Sequence, residues 1–165
     1  MIHILGEKSN SALTAVRDGD SQPNAIDLRL GKVFAMNIER FVLSEGFKKH
    51  RGTTEVQPDH EGWYHLQEGT YEVVMENIVT VGADEAGWVI TRSTLNRNGV
   101  FITSGLYDSG YNGVMAGAMH VRGGPVRIQK GTRVAQFLLF KAEALTLYNG
   151  SYGLNSEHDK KYIKE

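Results

Sequence analysis

The sequence predicts one all-β domain, a sandwich or jelly-roll-like barrel, and three observations carry that prediction. Glycine stands at 19 residues against 3 prolines and is spread along the chain rather than clustered. The apolar segments between glycines are short and rich in Val, Ile, Tyr and Phe, side chains that suit a pleated, half-buried surface. Turn sequences such as Gln67-Glu68-Gly69 and Gln129-Lys130-Gly131 recur at short intervals, which argues against the longer βαβ units of parallel sheets.

Taken in order, the first element is a short helix over Ser9 to Asp18, capped by Ser9, Asn10 or Ser11, with Leu13 and Val16 on its apolar side. Alternation and turn punctuation then predict strands over Ile26–Leu30, Lys32–Met36, Trp63–Leu66, Thr70–Val74 and Trp88–Thr91. Thr91 to Asn98 follows as one or two helical turns. Further strands are predicted over Val100–Thr103, Val114–Val121, Val126–Ile128 and Ala135–Phe140. From Tyr148 to Glu165 the chain is polar, glycine-punctuated and lysine-rich, the composition of a frayed terminus.

Composition narrows the function. A chain of 165 residues with 41% apolar content suits a single domain with a real core. The 18 basic residues are balanced by 19 acidic ones, so there is no overall positive field to hold a nucleic-acid backbone. Zero cysteines remove disulfides, thiolate catalysis and thiolate metal sites, which fits a cytoplasmic protein. Met1-Ile2-His3-Ile4-Leu5 turns polar at once, and nothing in the chain addresses a membrane.

Four polar segments stand out. In Gly105-Leu106-Tyr107-Asp108-Ser109-Gly110-Tyr111-Asn112-Gly113, glycines frame one carboxylate and one aromatic on a tight hairpin, where a ring can stack and a water can be activated. In Ala25-Ile26-Asp27-Leu28-Arg29-Leu30-Gly31, charged and apolar residues alternate; the plain reading puts Asp27 and Arg29 on a solvated strand face. Thr91-Arg92-Ser93-Thr94-Leu95 runs from a strand into a helical turn, either an ordinary serine cap or a phosphate site built from an arginine fork, a hydroxyl and free N–H groups. Gly131-Thr132-Arg133-Val134-Ala135-Gln136-Phe137 enters a strong apolar strand.

In this order the four segments resemble the trimeric dUTPase and dCTP deaminase superfamily over most of the chain. The hairpin is the most specific of them. A fifth, looser resemblance is Tyr148-Asn149-Gly150-Ser151-Tyr152-Gly153, similar to the glycine-rich C-terminal arm of the deaminase branch. The resemblance implies a distorted jelly-roll or β-clip barrel with one or two short helices, residues 1–147 forming the β domain and 148–165 its arm. It implies a homotrimer with shared active sites.

By the same resemblance, Asp108 deprotonates a water that attacks the α-phosphorus of a pyrimidine deoxynucleoside triphosphate, dUTP or a close analogue, releasing pyrophosphate. Tyr111 stacks on the deoxyribose and leaves no room for a 2′-hydroxyl. Arg92, Ser93 and Gln136 hold phosphates, Tyr152 of the arm belongs to the substrate-binding set, and Asp27 reaches a magnesium ion through water. Magnesium suits a site with few carboxylates because it keeps several waters and binds substrate phosphates. The backbone from Thr103 through Gly105 to Tyr107 reads the uracil edge.

Three positions depart from the family pattern. The deaminase branch keeps a proton-handling glutamate where this chain has Ala118, and no carboxylate in that strand replaces it, although Arg97 matches a second arginine of that branch. Tyr107 stands where dUTPases have a small aliphatic residue, and Val121, after His120, where both branches have asparagine. Deamination of dCTP, and a non-catalytic nucleotide-binding regulatory trimer, therefore stand as alternatives. His50, His60 and His65 match no metal-ligand spacing and read as loop histidines, and Asp18-Gly19-Asp20 reads as a turn.

Overall fold

The computed structural model describes residues 2–3 and 8–163. Its strands are β1 (Ile2–His3), β2 (Ala12–Leu13), β3 (Ser21–Gln22), β4 (Ala25–Met36), β5 (Val42–Ser44), β6 (Phe47–Lys49), β7 (Thr53–Val56), β8 (Trp63–Leu66), β9 (Gly69–Thr80), β10 (Glu85–Thr91), β11 (Val100–Thr103), β12 (Leu106–Tyr107), β13 (Asn112–Val121), β14 (Val126–Gln129) and β15 (Arg133–Lys141). Two single helical turns, α1 (Ser93–Asn96) and α2 (Lys160–Ile163), complete it. The main sheet runs β1-β2-β9-β4-β15-β10-β12, with β13 and then β11 added through β9, and β3 and β7 paired to β4. β8–β14 and β5–β6 are separate two-stranded ribbons. The all-β architecture expected from the turn spacing is what forms, as a half-barrel antiparallel sheet.

The core lies between the long strands. Leu28, Leu30 and Val33 of β4, Val73, Met75 and Val79 of β9, Met115 and Met119 of β13, and Val134 and Phe137 of β15 are all buried. The two strands expected on either side of Gly31 are one strand, because the glycine sits in a bulge: Leu30 pairs with Met75 and Lys32 with Val74. A Cβ at Gly31 would lie 2.9 Å from the Val74 carbonyl oxygen, so glycine here admits the neighbouring strand instead of ending its own.

The helix expected over Ser9 to Asp18 does not form. Ala12 and Leu13 pair with Thr80 and Val79 of β9, Leu13 is fully buried, and Ala15 takes a φ of 52°, which no α-helix accommodates. The hydroxyls expected to cap the helix instead donate to the buried Glu85 carboxylate, from Ser9 at 2.9 Å and also from Ser11. Tertiary pairing and a buried charge needing donors outweigh a weak local propensity.

Gly87 on β10 faces the Phe137 ring of β15, and a Cβ there would stand 2.0 Å from Cζ. Gly87→Ala is expected to lose about 1–3 kcal/mol through forced displacement of that ring. The check is thermal or denaturant unfolding; an unchanged midpoint would show that Phe137 yields freely.

Candidate functional site

One group of polar residues gathers where β4, β15 and the end of β10 meet. Asp27 pairs across the sheet with Gln136, whose Nε2 donates to Asp27 Oδ1 at 3.0 Å. Arg133 Nη1 lies 3.3 Å from Oδ2, Arg92 Nε 3.5 Å from Oδ1, and Gln22 Nε2 donates to Oδ2 at 3.3 Å. Asp27 has no exposed surface, while Arg92 and Arg133 keep about a third of their side chains in solvent. The carboxylate therefore anchors two half-exposed guanidiniums. Ser93, exposed, opens α1 immediately after Arg92.

The solvated-face reading of Asp27 and Arg29 is thus overturned. Arg29 turns to Asp20, also fully buried, donating from Nε at 3.0 Å and Nη2 at 2.6 Å in a bidentate pair. Burial alone would raise the Asp20 pKa, but hydrogen bonds from the Arg29 guanidinium and the Arg17 N–H outweigh it and hold the carboxyl below its ordinary value. A depressed carboxylate contributes stability that is fully present above its unfolded value, 3.8, and lost as pH falls through the lower folded value. Asp20→Asn is expected to cost about 3–5 kcal/mol at neutral pH by stranding Arg29. Its deficit should shrink as unfolding is followed down to acid pH; a deficit independent of pH would show that the pair contributes nothing through charge.

The second group is the hairpin between β12 and β13. A backbone turn closes it, with the Tyr111 N–H donating to the Asp108 carbonyl at 3.0 Å and Gly110 at φ 82°. The Asp108 side chain is exposed, and its carboxylate accepts no hydrogen bond from the described residues. Tyr111 is buried, its hydroxyl donating to the Val114 carbonyl at 2.8 Å, and its ring meets Tyr107 edge-on at 5.4 Å. Tyr107 packs in turn on Phe137 and donates to the Ala116 carbonyl at 3.2 Å. Burial pushes both phenols up, so both stay neutral.

Gly105, Leu106, Tyr107 and Tyr111 line a cavity of about 440 Å³, together with Ala118 and Tyr152. Nothing lies within 4 Å of where a Gly105 Cβ would point, so a ligand can approach the backbone there. Thr103 is exposed beside this region and pairs with Ala118.

Over its described residues, 148–163, the tail does not fray. Tyr148 N–H donates to the Ser109 carbonyl at 2.8 Å, and Leu154 N–H to the Asn112 carbonyl at 3.1 Å, laying the chain along the hairpin. Gly153, at φ 122°, passes so close that a Cβ would meet the Asn112 carbonyl at 2.8 Å, and its N–H donates to the buried Asp159 carboxylate. Tyr148 stands edge-on to Tyr111 at 5.2 Å, and Tyr162 packs on Phe34. Polar composition concealed a docking surface made of aromatics.

The two groups stand at opposite ends of β10. Tyr107 pairs with Gly87, and Asp108 follows it outward, whereas Arg92 leaves the far end of the strand five residues beyond Gly87. At roughly 3.3 Å per residue that is about 17 Å along the strand. None of Asp27, Arg92, Ser93 or Gln136 lines the hairpin cavity.

The dCTP deaminase-like family model matches residues 2–142. The chain belongs to the dCTP deaminase-like family. A relative from Methanopyrus kandleri, named as a probable deoxyuridine 5′-triphosphate nucleotidohydrolase, is 33% identical over 91% of this chain and 99% of its own. One of the same name from Halobacterium salinarum is 29% identical over 83% of this chain and 85% of its own. The 2′-deoxycytidine 5′-triphosphate deaminase of Agrobacterium tumefaciens shares the fold, with a TM-score of 0.62 at 19% identity, over 82% of this chain and 44% of that one. The dUTPase of phage phi11, crystallised as a mutant that shows a structural Mg(II) ion, has a TM-score of 0.55 at 10% identity over 88% of this chain and 99% of its own.

Within this dCTP deaminase-like fold, Ala118 of β13 pairs directly with Glu72 of β9. The strand holding Ala118 has no substitute carboxylate, but its neighbour places one in the same cavity. Sequence reasoning assigned no role to Glu72 because only the register of strands 46 residues apart brings the two together. Arg133 lay within a singled-out segment, and its sign and spacing from Gln136 were signals that could have been used. Among the described residues, no group of three or more His, Asp and Glu side chains is arranged to hold a metal ion, and no helix is long and apolar enough to cross a membrane.

Proposed function

We propose that this protein is a diphosphohydrolase of pyrimidine deoxynucleoside triphosphates, dUTP foremost, forming the monophosphate and pyrophosphate. The observation that carries the reading is the Asp108 carboxylate, exposed and without a hydrogen-bond partner among the described residues, on the hairpin whose Tyr107 and Tyr111 line a cavity with the glycine-framed backbone at Gly105. The names of the archaeal relatives support the same substrate.

In this reading the base enters the hairpin cavity and Tyr111 carries the sugar. Asp108 takes a proton from a water as its oxygen attacks the α-phosphorus. The bond to the bridging oxygen breaks, and pyrophosphate leaves. Arg92, Arg133, Ser93 and Gln136 hold phosphate oxygens, and Tyr152 of the tail closes on the nucleotide. The donors around Asp27 are amide and guanidinium N–H groups, which do not suit the oxygen shell of an ion. Magnesium would be held by the substrate phosphates and waters rather than by this cluster, and would supply charge neutralisation there. Asp27 acts through the guanidiniums it orients.

The hairpin and the cationic cluster lie about 17 Å apart along β10, and no cluster side chain lines the hairpin cavity. We infer that the hairpin of one subunit meets the cluster of another in a homotrimer. Exposed apolar side chains support association: Trp88 and Leu106, cross-strand neighbours, are 52% and 55% exposed.

Incubation with magnesium and dUTP, dCTP or dTTP, followed by chromatography of the products, tests the reaction. The expected result is dUMP and pyrophosphate from dUTP. Ammonia from dCTP would replace this reading with deamination. Binding of all three without turnover would replace it with a regulatory trimer.

A further inference from the structure

We infer that the hairpin cavity reads a hydrogen-bond donor projecting from the pyrimidine ring, an exocyclic N–H or O–H that uracil lacks, and that Glu72 is the residue that accepts it. The inference rests on the hairpin being the base site, as proposed above.

Directly opposed residues of an antiparallel pair share a sheet face, so Glu72 and Ala118 point the same way, and both line the cavity that Gly105, Leu106 and Tyr107 border. Between the hairpin and Glu72 the wall is Ala116-Gly117-Ala118, almost without side chains. It cannot be filled from Gly117, where a Cβ would sit 2.4 Å from the Thr103 carbonyl oxygen. On the strand side, therefore, no large side chain stands between a ring seated at the hairpin and Glu72, while Asp159 of the tail lines the same cavity.

The Glu72 side chain is only 17% exposed, and an ionised carboxylate buried to that degree needs donors. The tail supplies two: the Tyr162 hydroxyl donates to Oε1, and Lys161 Nζ to Oε2 at 2.9 Å. A carboxylate offers about four acceptor sites, so two remain. His50, His158 and Asp159 complete this end of the cavity. None of them supplies a fixed donor toward Glu72 that would take up the remaining capacity.

Uracil carries no exocyclic donor, so it gains no hydrogen bond from Glu72. An amino group, as on cytosine, or a hydroxymethyl group on the ring presents the complementary donor. The shared chemistry is the donor itself, and the two sources are separated by experiment.

The competing account is that Glu72 does no more than tether the tail. Calorimetry on the full chain with non-hydrolysable α,β-imido analogues of dUTP, dCTP and 5-hydroxymethyl-dUTP distinguishes the two. In the parent, at least one donor-bearing analogue is expected to bind as tightly as the dUTP analogue. Glu72→Gln should weaken that analogue about tenfold relative to the dUTP analogue, the loss of one charge-assisted hydrogen bond. Tyr162→Phe, which loosens the tail but keeps the carboxylate, should leave the ratio as in the parent.

The analogue that responds identifies the donor as amino or hydroxymethyl. An unchanged ratio in Glu72→Gln, or an equal fall in Tyr162→Phe, overturns the inference in favour of the tether. Binding of the dUTP analogue without either of the others overturns it and leaves the hydrolase reading standing. Failure of all three to bind overturns both.

Discussion

Asp108→Asn is expected to lower the turnover of dUTP by about 10²–10⁴-fold, the usual contribution of a positioned general base. Nucleotide binding should stay as in the parent or tighten. The reasons are local. The side chain is exposed and takes part in no hydrogen bond that holds the turn, which is closed by backbone from Tyr111 to the Asp108 carbonyl. The neighbouring Ser109 hydroxyl, donating to the Glu85 carbonyl at 2.6 Å, secures the hairpin independently. Asparagine keeps the shape and removes only the proton acceptor and one negative charge beside the phosphates. Single-turnover rates together with equilibrium binding of the α,β-imido dUTP analogue check both halves. Retained turnover would move the base elsewhere, and loss of binding would make Asp108 a ligand group rather than a base.

Mixing two inactive variants should restore activity. Asp108→Asn leaves the cationic cluster whole, and Arg92→Ala leaves the hairpin whole. If each site joins the hairpin of one subunit to the cluster of another, a site with both intact arises when an Arg92→Ala hairpin meets an Asp108→Asn cluster. For equal random mixing that is about one site in four, so about a quarter of parental activity should return after the subunits are unfolded and refolded together. The separation of the two groups along β10 makes this outcome possible. A site contained in one chain predicts no recovery at any mixing ratio, because every chain then carries a lesion in its own site.

The legibility of the fold varied with how local its causes are. Trp63–Leu66 and Val100–Thr103 appear with the expected bounds because alternation and flanking turns are written in the segment itself. The strand pair around Gly31 was misread as two because a glycine looks the same whether it ends a strand or makes room for Val74. Ser9 to Asp18 was misread because the partners that decide it, Val79, Thr80 and Glu85, lie some 70 residues away. The tail was misread because Tyr148 and Tyr162 are scattered among polar residues, and their partners, Tyr111 of the hairpin turn and Phe34 of β4, are distant in sequence.

At the candidate site, residue types marked four polar segments, and the resemblance to the family gave Asp108, Tyr111, Arg92, Ser93, Asp27 and Gln136 their expected roles. Catalytic and phosphate-binding chemistry demands particular side chains on short, glycine-marked turns, and such demands are visible in one dimension. Only the tertiary structure showed that Asp27 is buried under two guanidiniums, that the hairpin and the cluster lie at opposite ends of one strand, and that Glu72 faces the cavity beside Ala118. Those facts depend on strand register, and register is a property of pairing between distant segments. Shifting a strand by one residue turns every side chain to the other face. The chain by itself therefore determined which chemical groups are available, and packing decided which of them meet.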